Sequence, residues 1–125
     1  MLFRSEYVEL DTLAGLSDVI TTHATLNDTS YHLIDRSFLN KCRDGVIVLD
    51  TARGDIVDQN AMIEALKSGK VSAFGIDAVS VEPPAPSDPY LNNDKVIVTP
   101  HIGAYTLEAL SGMSDKCLSW IFIIV

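Results

Sequence analysis

The sequence predicts an α/β fold, half of a doubly wound parallel sheet, and three observations predict it. Strand-like and helix-like segments alternate along the 125 residues. The strand-like segments are short continuous apolar runs rather than alternating ones, which is typical of strands covered by helices on both faces of a sheet. Helical segments lie between the strands, where they would supply right-handed crossovers. A chain of this length is one small domain or a part of one, since domains commonly run to about 100–150 residues.

The first elements follow from capping residues and apolar runs. In chain order they are a short capped helix over 11–16, a strand over 19–23 that ends at His23, a short helix opened by Asp35 or Arg36, and a strand over 46–49. Asp58 then predicts the start of a helix that Gly69 ends. The apolar residues of this helix recur at helical spacing and are Ala61, Met62, Ala65 and Leu66.

The last part of the chain predicts two strands and a helix. The strands cover 71–76 and 96–99, and the proline-rich loop EPPAPSDPY between them cannot pair regularly. A helix is expected over 107–120. The terminal LSWIFIIV is apolar but far shorter than the roughly 20 residues that span a bilayer, so a buried helix end or strand is expected there.

Composition excludes several classes of function. The net charge of −8 argues against a nucleic-acid surface, because such a surface needs clustered Lys and Arg. Cys42 and Cys117 have no His or Cys at metal-ligand spacing, so reduced thiols are expected rather than a disulfide or a metal site. The N-terminal MLFRSEYVEL has no apolar core of signal-peptide length. A cytoplasmic protein with no membrane partner is therefore expected.

Three turns that contain an ionisable side chain each follow an apolar strand, and these side chains are Arg53, Glu82 and His101. In an open parallel sheet, ligands bind in the crevice outside the C-terminal ends of the strands. A guanidinium group forks onto a carboxylate, and histidine donates and accepts protons near neutral pH. An arginine, an acid and an imidazole are thus the parts needed to hold a small acid and move a proton.

Each of these residues also has a purely structural interpretation. Arg53 either faces a ligand or is a surface arginine paired with Asp55 or Asp58. Asp77, which ends the third strand, either accepts a hydrogen bond from a ligand amide or caps the following turn. A loop glutamate or a lone histidine is by itself more often solvated or structural than catalytic.

Taken together, the segments SDVITTHATL, GVIVLDTARGDIVDQNAMIEALKSGKVSAFGIDAVSVEPP and VIVTPHIGAYTLEAL are far more specific. In this order and at these intervals they resemble the NAD-binding domain of the D-isomer-specific 2-hydroxyacid dehydrogenases, a family that includes phosphoglycerate, glyoxylate/hydroxypyruvate and D-lactate dehydrogenases. The resemblance spans Tyr7 to Lys116. It implies a partial Rossmann-like sheet and an oxidoreductase that transfers a hydride between NAD, or NADP, and a small 2-oxo or 2-hydroxy acid.

The resemblance also implies roles for individual residues. Arg53 matches the arginine that orients the substrate and polarises its carbonyl, His101 matches the acid/base, and Glu82 matches the acid that pairs with this histidine. Asp77 matches the carboxylate that holds the nicotinamide amide. Besides Arg53, Asp77 and His101, the implied cofactor contacts fall on Ala24, Thr25, Ser30, Thr51, Ala52, Gly103 and Ala104.

Some positions depart from the family pattern. The family usually has proline where Thr25 stands and threonine where Ser30 stands. The glycine-rich turn that normally binds pyrophosphate is not found, since Gly15 is the only glycine before Gly45. Residues 1–125 are therefore expected to form a partial NAD(P)-binding domain without that loop and without the substrate domain.

These departures bear on function. The isolated chain is expected to be weakly active or inactive, and its full-length parent is expected to be a homo-oligomer. One alternative is a non-catalytic nucleotide-sensing or protein-interaction module. A second is a helix-covered sheet in which the arginine, the glutamate and the histidine never meet.

Overall fold

The computed structural model describes residues 6–113. The helices are α1 (Leu10–Leu16), α2 (Arg36–Lys41) and α3 (Gln59–Ser68), with a 3-10 turn at Gly54–Ile56, and the strands are β1 (Val19–Thr22), β2 (Val46–Asp50), β3 (Val71–Ile76) and β4 (Val96–Val98). Residues 107–113 are also helical. The rest of the helix predicted to reach Trp120, and the apolar LSWIFIIV, lie outside the described residues.

The strands of the described region form one parallel sheet in the order β1-β2-β3-β4. Spatial order equals chain order, so the C-terminal ends of all four strands meet at the same edge of the sheet, one beside the next. The predicted parallel α/β architecture is thus confirmed. The observed strands agree with the predicted ones to within one residue at each end.

Local capping chemistry explains helices α2 and α3. The Asp58 carboxylate accepts hydrogen bonds from the Asn60 and Ala61 amides at the start of α3, and Gly69 ends this helix in the left-handed conformation at φ +81°. Asp35 caps α2 in the same way, through the Phe38 amide at 2.7 Å. The prediction of a capped helix at 11–16 was wrong in one respect, because α1 begins at Leu10 and has no side-chain cap.

The helices cover one face of the sheet. Apolar side chains of β1, β2 and β3 on this face are buried against those of the helices, and the central members of the core are Ile20, Val46, Val48, Phe74, Ala14, Phe38, Leu39, Met62 and Leu66. On the other face, Val19 is 54% exposed and Ile97 is 72% exposed, with Ile47 and Leu49 between them also exposed.

Within residues 6–113, helices α1, α2 and α3 therefore cover one of the two faces that the sequence predicts to be covered. A continuous apolar run indicates that both faces of a strand are apolar, but it does not indicate which segment packs against each face. In the same region, no helix is both long enough and apolar enough to cross a bilayer.

Candidate active site

The three residues that the sequence singles out lie beyond the C-terminal ends of three adjacent strands. Arg53 follows β2, Glu82 follows β3 and His101 follows β4. Because these strands are parallel neighbours, the turns that carry the three side chains share one edge of the sheet.

Glu82 and His101 form a direct pair. The Nδ1 atom of His101 lies 3.0 Å from each carboxylate oxygen of Glu82. An ionised carboxylate only accepts hydrogen bonds, so Nδ1 must carry the proton, and Nε2 is left for another partner. The two side chains are 45% and 43% exposed. The interpretation in which these groups never meet is thus wrong for the glutamate and the histidine.

A cavity of about 510 Å³ lies against this pair. Its polar lining residues are Asp77, Glu82, Thr99 and His101, and apolar side chains such as Val79, Leu91 and Val98 line the remainder. A mostly apolar hollow with a few converging polar groups is typical of a small-molecule site.

Asp77 holds the turn that carries His101. The backbone carbonyl of Asp77 accepts from the His101 amide at 2.8 Å. Its carboxylate accepts from the Ile102 amide at 3.0 Å, the Gly103 amide at 2.9 Å and the Thr99 hydroxyl at 2.5 Å. His101 itself adopts φ +53°, in the left-handed region that non-glycine residues rarely occupy.

This bonding fixes the charge of Asp77. The Thr99 hydroxyl contributes most, and with the Ile102 and Gly103 amides and the nearby imidazole it lowers the pKa of the Asp77 carboxyl below its ordinary value, although burial opposes the shift. Asp77 therefore caps a turn, as one sequence interpretation held, although this turn follows β4 rather than β3. An ionised carboxylate has about four acceptor positions, so one remains for a ligand amide.

The Arg53 turn sits beside the Glu82 loop because Gly54 has no side chain. A Cβ atom at Gly54 would lie 2.6 Å from the carbonyl carbon of Val79 and 2.8 Å from the Ala78 oxygen. Arg53 Nη1 donates to the Ala52 oxygen at 2.6 Å. Within residues 6–113, Arg53 makes no ion pair with an acidic side chain, since Asp58, one of the two partners considered, caps α3 instead.

A second hollow of about 340 Å³ lies at the ends of β1 and β2. Its lining residues, which are mostly small, include His23, Ala24, Thr25, Thr51, Ala52 and Arg53. His23 contacts the Thr21 hydroxyl through Nε2 at 3.0 Å. Small side chains on adjoining strand ends leave room for a flat ring. Arg53 lines this hollow, whereas Glu82 and His101 line the larger one.

The remaining predicted contacts occupy the loops at the same edge. Ser30 is buried, and its hydroxyl donates to the Thr25 oxygen at 2.7 Å and accepts from the Asn27 amide at 2.9 Å. Ser30 therefore shapes the loop that carries Thr25. Gly103 and Ala104 lie in the exposed turn that follows His101.

Sequence reasoning missed the residues that support these turns. The Asp50 carboxylate is fully buried, and its Oδ1 accepts from the Thr22 hydroxyl at 2.5 Å and from the Ala52 amide at 2.9 Å. Thr99 plays the corresponding part for Asp77. The available signal was a threonine at the end of the strand that neighbours each aspartate, which is recognised only once the strand register is known.

Residues 2–103 match the family model of the D-isomer specific 2-hydroxyacid dehydrogenase NAD binding domain. The chain belongs to this family. The predicted membership, the Rossmann-like fold and the assignment of NAD as cofactor are thereby confirmed. NADP stays the alternative cofactor that the sequence analysis named.

Relatives and solved structures agree with this assignment. The chain is 44% identical over 119 residues to a hydroxypyruvate reductase of Thermotoga maritima, covering 94% of this chain and 39% of the relative. It is 48% identical over 102 residues to a D-3-phosphoglycerate dehydrogenase of Archaeoglobus fulgidus, covering 82% of this chain and 19% of the relative.

The fold agrees as well. A crystal structure of D-lactate dehydrogenase from Aquifex aeolicus, complexed with NAD and lactic acid, superimposes with a TM-score of 0.82 at 31% identity, covering 93% of this chain and 39% of that chain. The chain thus spans less than half the length of each of these three relatives.

The second hollow fits one end of the cofactor. Small side chains at Ala24 and Ala52 leave space for a nicotinamide ring, and the Thr25 and Thr51 hydroxyls can bond a ribose. Asp77 lines the larger cavity instead, and its carboxylate keeps one acceptor position there. Among residues 6–113, no glycine-rich turn follows β1 to bind a pyrophosphate.

Proposed function

We propose that this NAD-binding domain provides the acid/base group and the substrate anchor for the oxidoreduction of a small 2-oxo or 2-hydroxy acid. The observation that carries the proposal is the Glu82–His101 pair at the C-terminal edge of the sheet, with Nδ1 3.0 Å from both carboxylate oxygens. When bound, NAD or NADP supplies the hydride acceptor or donor for the C2 carbon of the substrate.

His101 moves the proton. Glu82 occupies Nδ1, so Nε2 is the ring atom that exchanges a proton with the substrate oxygen. In the reducing direction the imidazolium donates to the carbonyl oxygen, and in the oxidising direction the neutral ring accepts the hydroxyl proton. The Glu82 carboxylate holds the Nδ1 proton and fixes the orientation of the ring.

Arg53 anchors the substrate carboxylate. One guanidinium nitrogen donates to the Ala52 oxygen, which orients the side chain and leaves further N–H groups free to form a fork. Because Gly54 brings this turn against the loop that leads to Glu82, the anchor and the acid/base pair serve the same edge of the sheet.

The proposed cofactor contacts are Ala24, Thr25, Ser30, Thr51, Ala52, Arg53, Asp77, His101, Gly103 and Ala104. Ser30 acts through the loop that holds Thr25, because its hydroxyl is already bonded within that loop. We further propose a cytoplasmic location and a homo-oligomeric parent enzyme.

The test measures NADH binding and NADH oxidation by the purified chain with glyoxylate, hydroxypyruvate and pyruvate. His101→Gln is expected to abolish turnover while leaving NADH affinity within about threefold, since removing a general acid/base costs about 10²–10⁴-fold in rate. His32→Gln is the matched control, because His32 also has a positive φ of 52° but stacks on Tyr31 instead of pairing with an acid.

The outcomes discriminate between functions. Turnover that survives His101→Gln would contradict the assigned acid/base. Tight NADH binding without turnover of any of the three acids would favour a nucleotide-sensing module. A chain that binds no NADH would contradict the proposed cofactor contacts, whereas weak turnover by the isolated chain is the expected result.

A further inference from the structure

Three successive backbone amides converge on Asp77. The His101 amide donates to its carbonyl, the Ile102 amide to Oδ1 and the Gly103 amide to Oδ2. Consecutive N–H groups that point into one concavity form an anion-binding nest. In this protein the nest that follows β4 is filled by a carboxylate from the neighbouring strand.

The carboxylate is itself held in place. Thr99, which directly follows β4, donates its hydroxyl to Oδ1 at 2.5 Å. Gly103 admits the other oxygen, since a Cβ atom there would lie 3.0 Å from Oδ2, closer than ordinary van der Waals contact. Asp77 is buried, so water does not compete freely for these bonds.

The nest sets the backbone of the histidine. His101 has φ +53°, a conformation that a β-carbon disfavours. Such a residue stays in this region only when surrounding bonds hold it there. Asp77 makes most of the bonds that hold it, and the His101 amide also donates to the Thr99 oxygen at 2.9 Å. In this conformation the imidazole faces both oxygens of Glu82.

We propose that Asp77 is a positioning residue for His101, distinct from its assigned contact with the cofactor: its carboxylate clamps the turn over residues 99–103 and so places the imidazole against Glu82 before any ligand binds. The inference deepens the proposed function and rests on it for its catalytic meaning. The clamp itself is a property of the free chain, and it is testable without cofactor, substrate or turnover.

The experiment is NMR of the ligand-free chain, with Asp77→Asn as the test variant. An asparagine presents an amide N–H₂ to one of the turn amides, so the nest loses an acceptor. Exchange of the Ile102 and Gly103 amides is expected to accelerate about tenfold or more, because hydrogen bonds to a charged group are the strong ones. The resonances of the His101 ring are expected to move to the positions found in Glu82→Gln, the variant that removes its hydrogen-bond partner.

Matched variants keep the test decisive. Asp94→Asn makes the same change of charge on an exposed turn, and it is expected to leave both readouts unchanged. Thr99→Val removes one donor but keeps the carboxylate, so it serves if Asp77→Asn does not fold. It is expected to accelerate exchange of the two amides severalfold, and Thr99→Ser is expected to restore the wild-type rate.

Failure of the clamp can be distinguished from failure of the proposed function. If Asp77→Asn weakens NADH binding while amide exchange and the His101 ring resonances stay at wild-type values, Asp77 acts only on the cofactor and the clamp is wrong. Unchanged exchange in Thr99→Val would also overturn it. A wild-type chain that binds no NADH would contradict the proposed cofactor contacts, whereas the NMR result would still decide the clamp.

Discussion

Two strand-end aspartates, Asp50 and Asp77, support the turns that carry Arg53 and His101. The hydrogen bonding of their carboxylates is complete in Asp77 and incomplete in Asp50. Each accepts a threonine hydroxyl from the neighbouring strand end at 2.5 Å, Thr22 for Asp50 and Thr99 for Asp77. Each also accepts backbone amides of a turn, which bears Arg53 in the first case and His101 in the second.

The difference lies in the second carboxylate oxygen. Both oxygens of Asp77 are bonded, and these bonds lower the pKa of its carboxyl. The Oδ2 atom of Asp50 is buried and has no hydrogen-bond partner among the described residues. Burying a charge without full pairing costs free energy.

The same arrangement, an aspartate that accepts a threonine hydroxyl and turn amides, is therefore expected to affect stability in opposite ways at the two positions. The same exchange of aspartate for asparagine is expected to destabilise the protein at Asp77 and not at Asp50. The satisfied aspartate supports the turn that carries His101, which requires a disfavoured backbone conformation at that residue. The turn that carries Arg53 has no positive φ angle.

The largest effect is expected where the two turns meet, at Gly54. Gly54→Ala forces a Cβ atom against the backbone of residues 78–80, so the free energy of unfolding should fall by about 3 kcal/mol or more. Urea unfolding measures it. Gly112→Ala is the control, since a Cβ there meets nothing within 4 Å. Equal stability of the two variants would show that the turns are not packed as described.

The next effect depends on pH. Because the folded pKa of Asp77 is lowered, its contribution to stability is complete above the ordinary carboxyl pKa of about 4 and is lost as the pH falls through the lower folded value. At pH 7, Asp77→Asn should therefore destabilise the chain by about 2 kcal/mol.

Urea unfolding of the wild type and of Asp77→Asn, at neutral and at acid pH, measures this difference. The difference in the free energy of unfolding between the two proteins should become smaller as the pH falls. A difference that is the same at both pH values would mean that the carboxylate charge does not hold the turn.

A smaller effect of opposite sign is expected at Asp50. Asp50→Asn keeps the Oδ1 acceptor for Thr22 and Ala52 and removes the incompletely paired buried charge, so stability at pH 7 should stay the same or rise by about 1 kcal/mol. Thermal unfolding at neutral pH provides the measurement. A loss as large as that of Asp77→Asn would remove the distinction between the two aspartates.

The smallest effect is expected at Asp11, and it serves as the reference for the effects at Asp77 and Asp50. Asp11 is an exposed carboxylate that pairs with Lys41 at 2.6 Å. Asp11→Asn should change stability by about 0.5 kcal/mol or less, because solvent and salt screen such pairs. Unfolding in low and high salt checks this value, and a larger change would indicate that loss of any carboxylate, buried or not, perturbs the fold.

Local chemistry explains how much of the fold could be predicted. Asp58 and Gly69 were assigned as the ends of α3 because capping and a left-handed glycine depend only on neighbouring residues. The strands were found because apolar runs between turn residues are equally local. The uncapped start of α1 shows the limit, since Asp11 falls inside the first turn rather than before it.

The site was predictable in part. The resemblance identified Arg53, Glu82 and His101, and the pairing of the last two is observed at 3.0 Å. Thr22 and Thr99 were not identified, because a hydroxyl at a strand end gains a partner only through the register of the neighbouring strand.

By itself, the sequence determined the α/β alternation and the family, and it singled out Arg53, Glu82 and His101, because each of these depends on residue type and spacing along the chain. Only the tertiary structure decided which face of the sheet the helices cover and how Asp77 holds the His101 turn. The physical reason is that these features arise from contacts between segments distant in sequence. A continuous apolar strand has the same composition whether one face or two are buried, and an aspartate at a strand end looks the same with one oxygen paired or both.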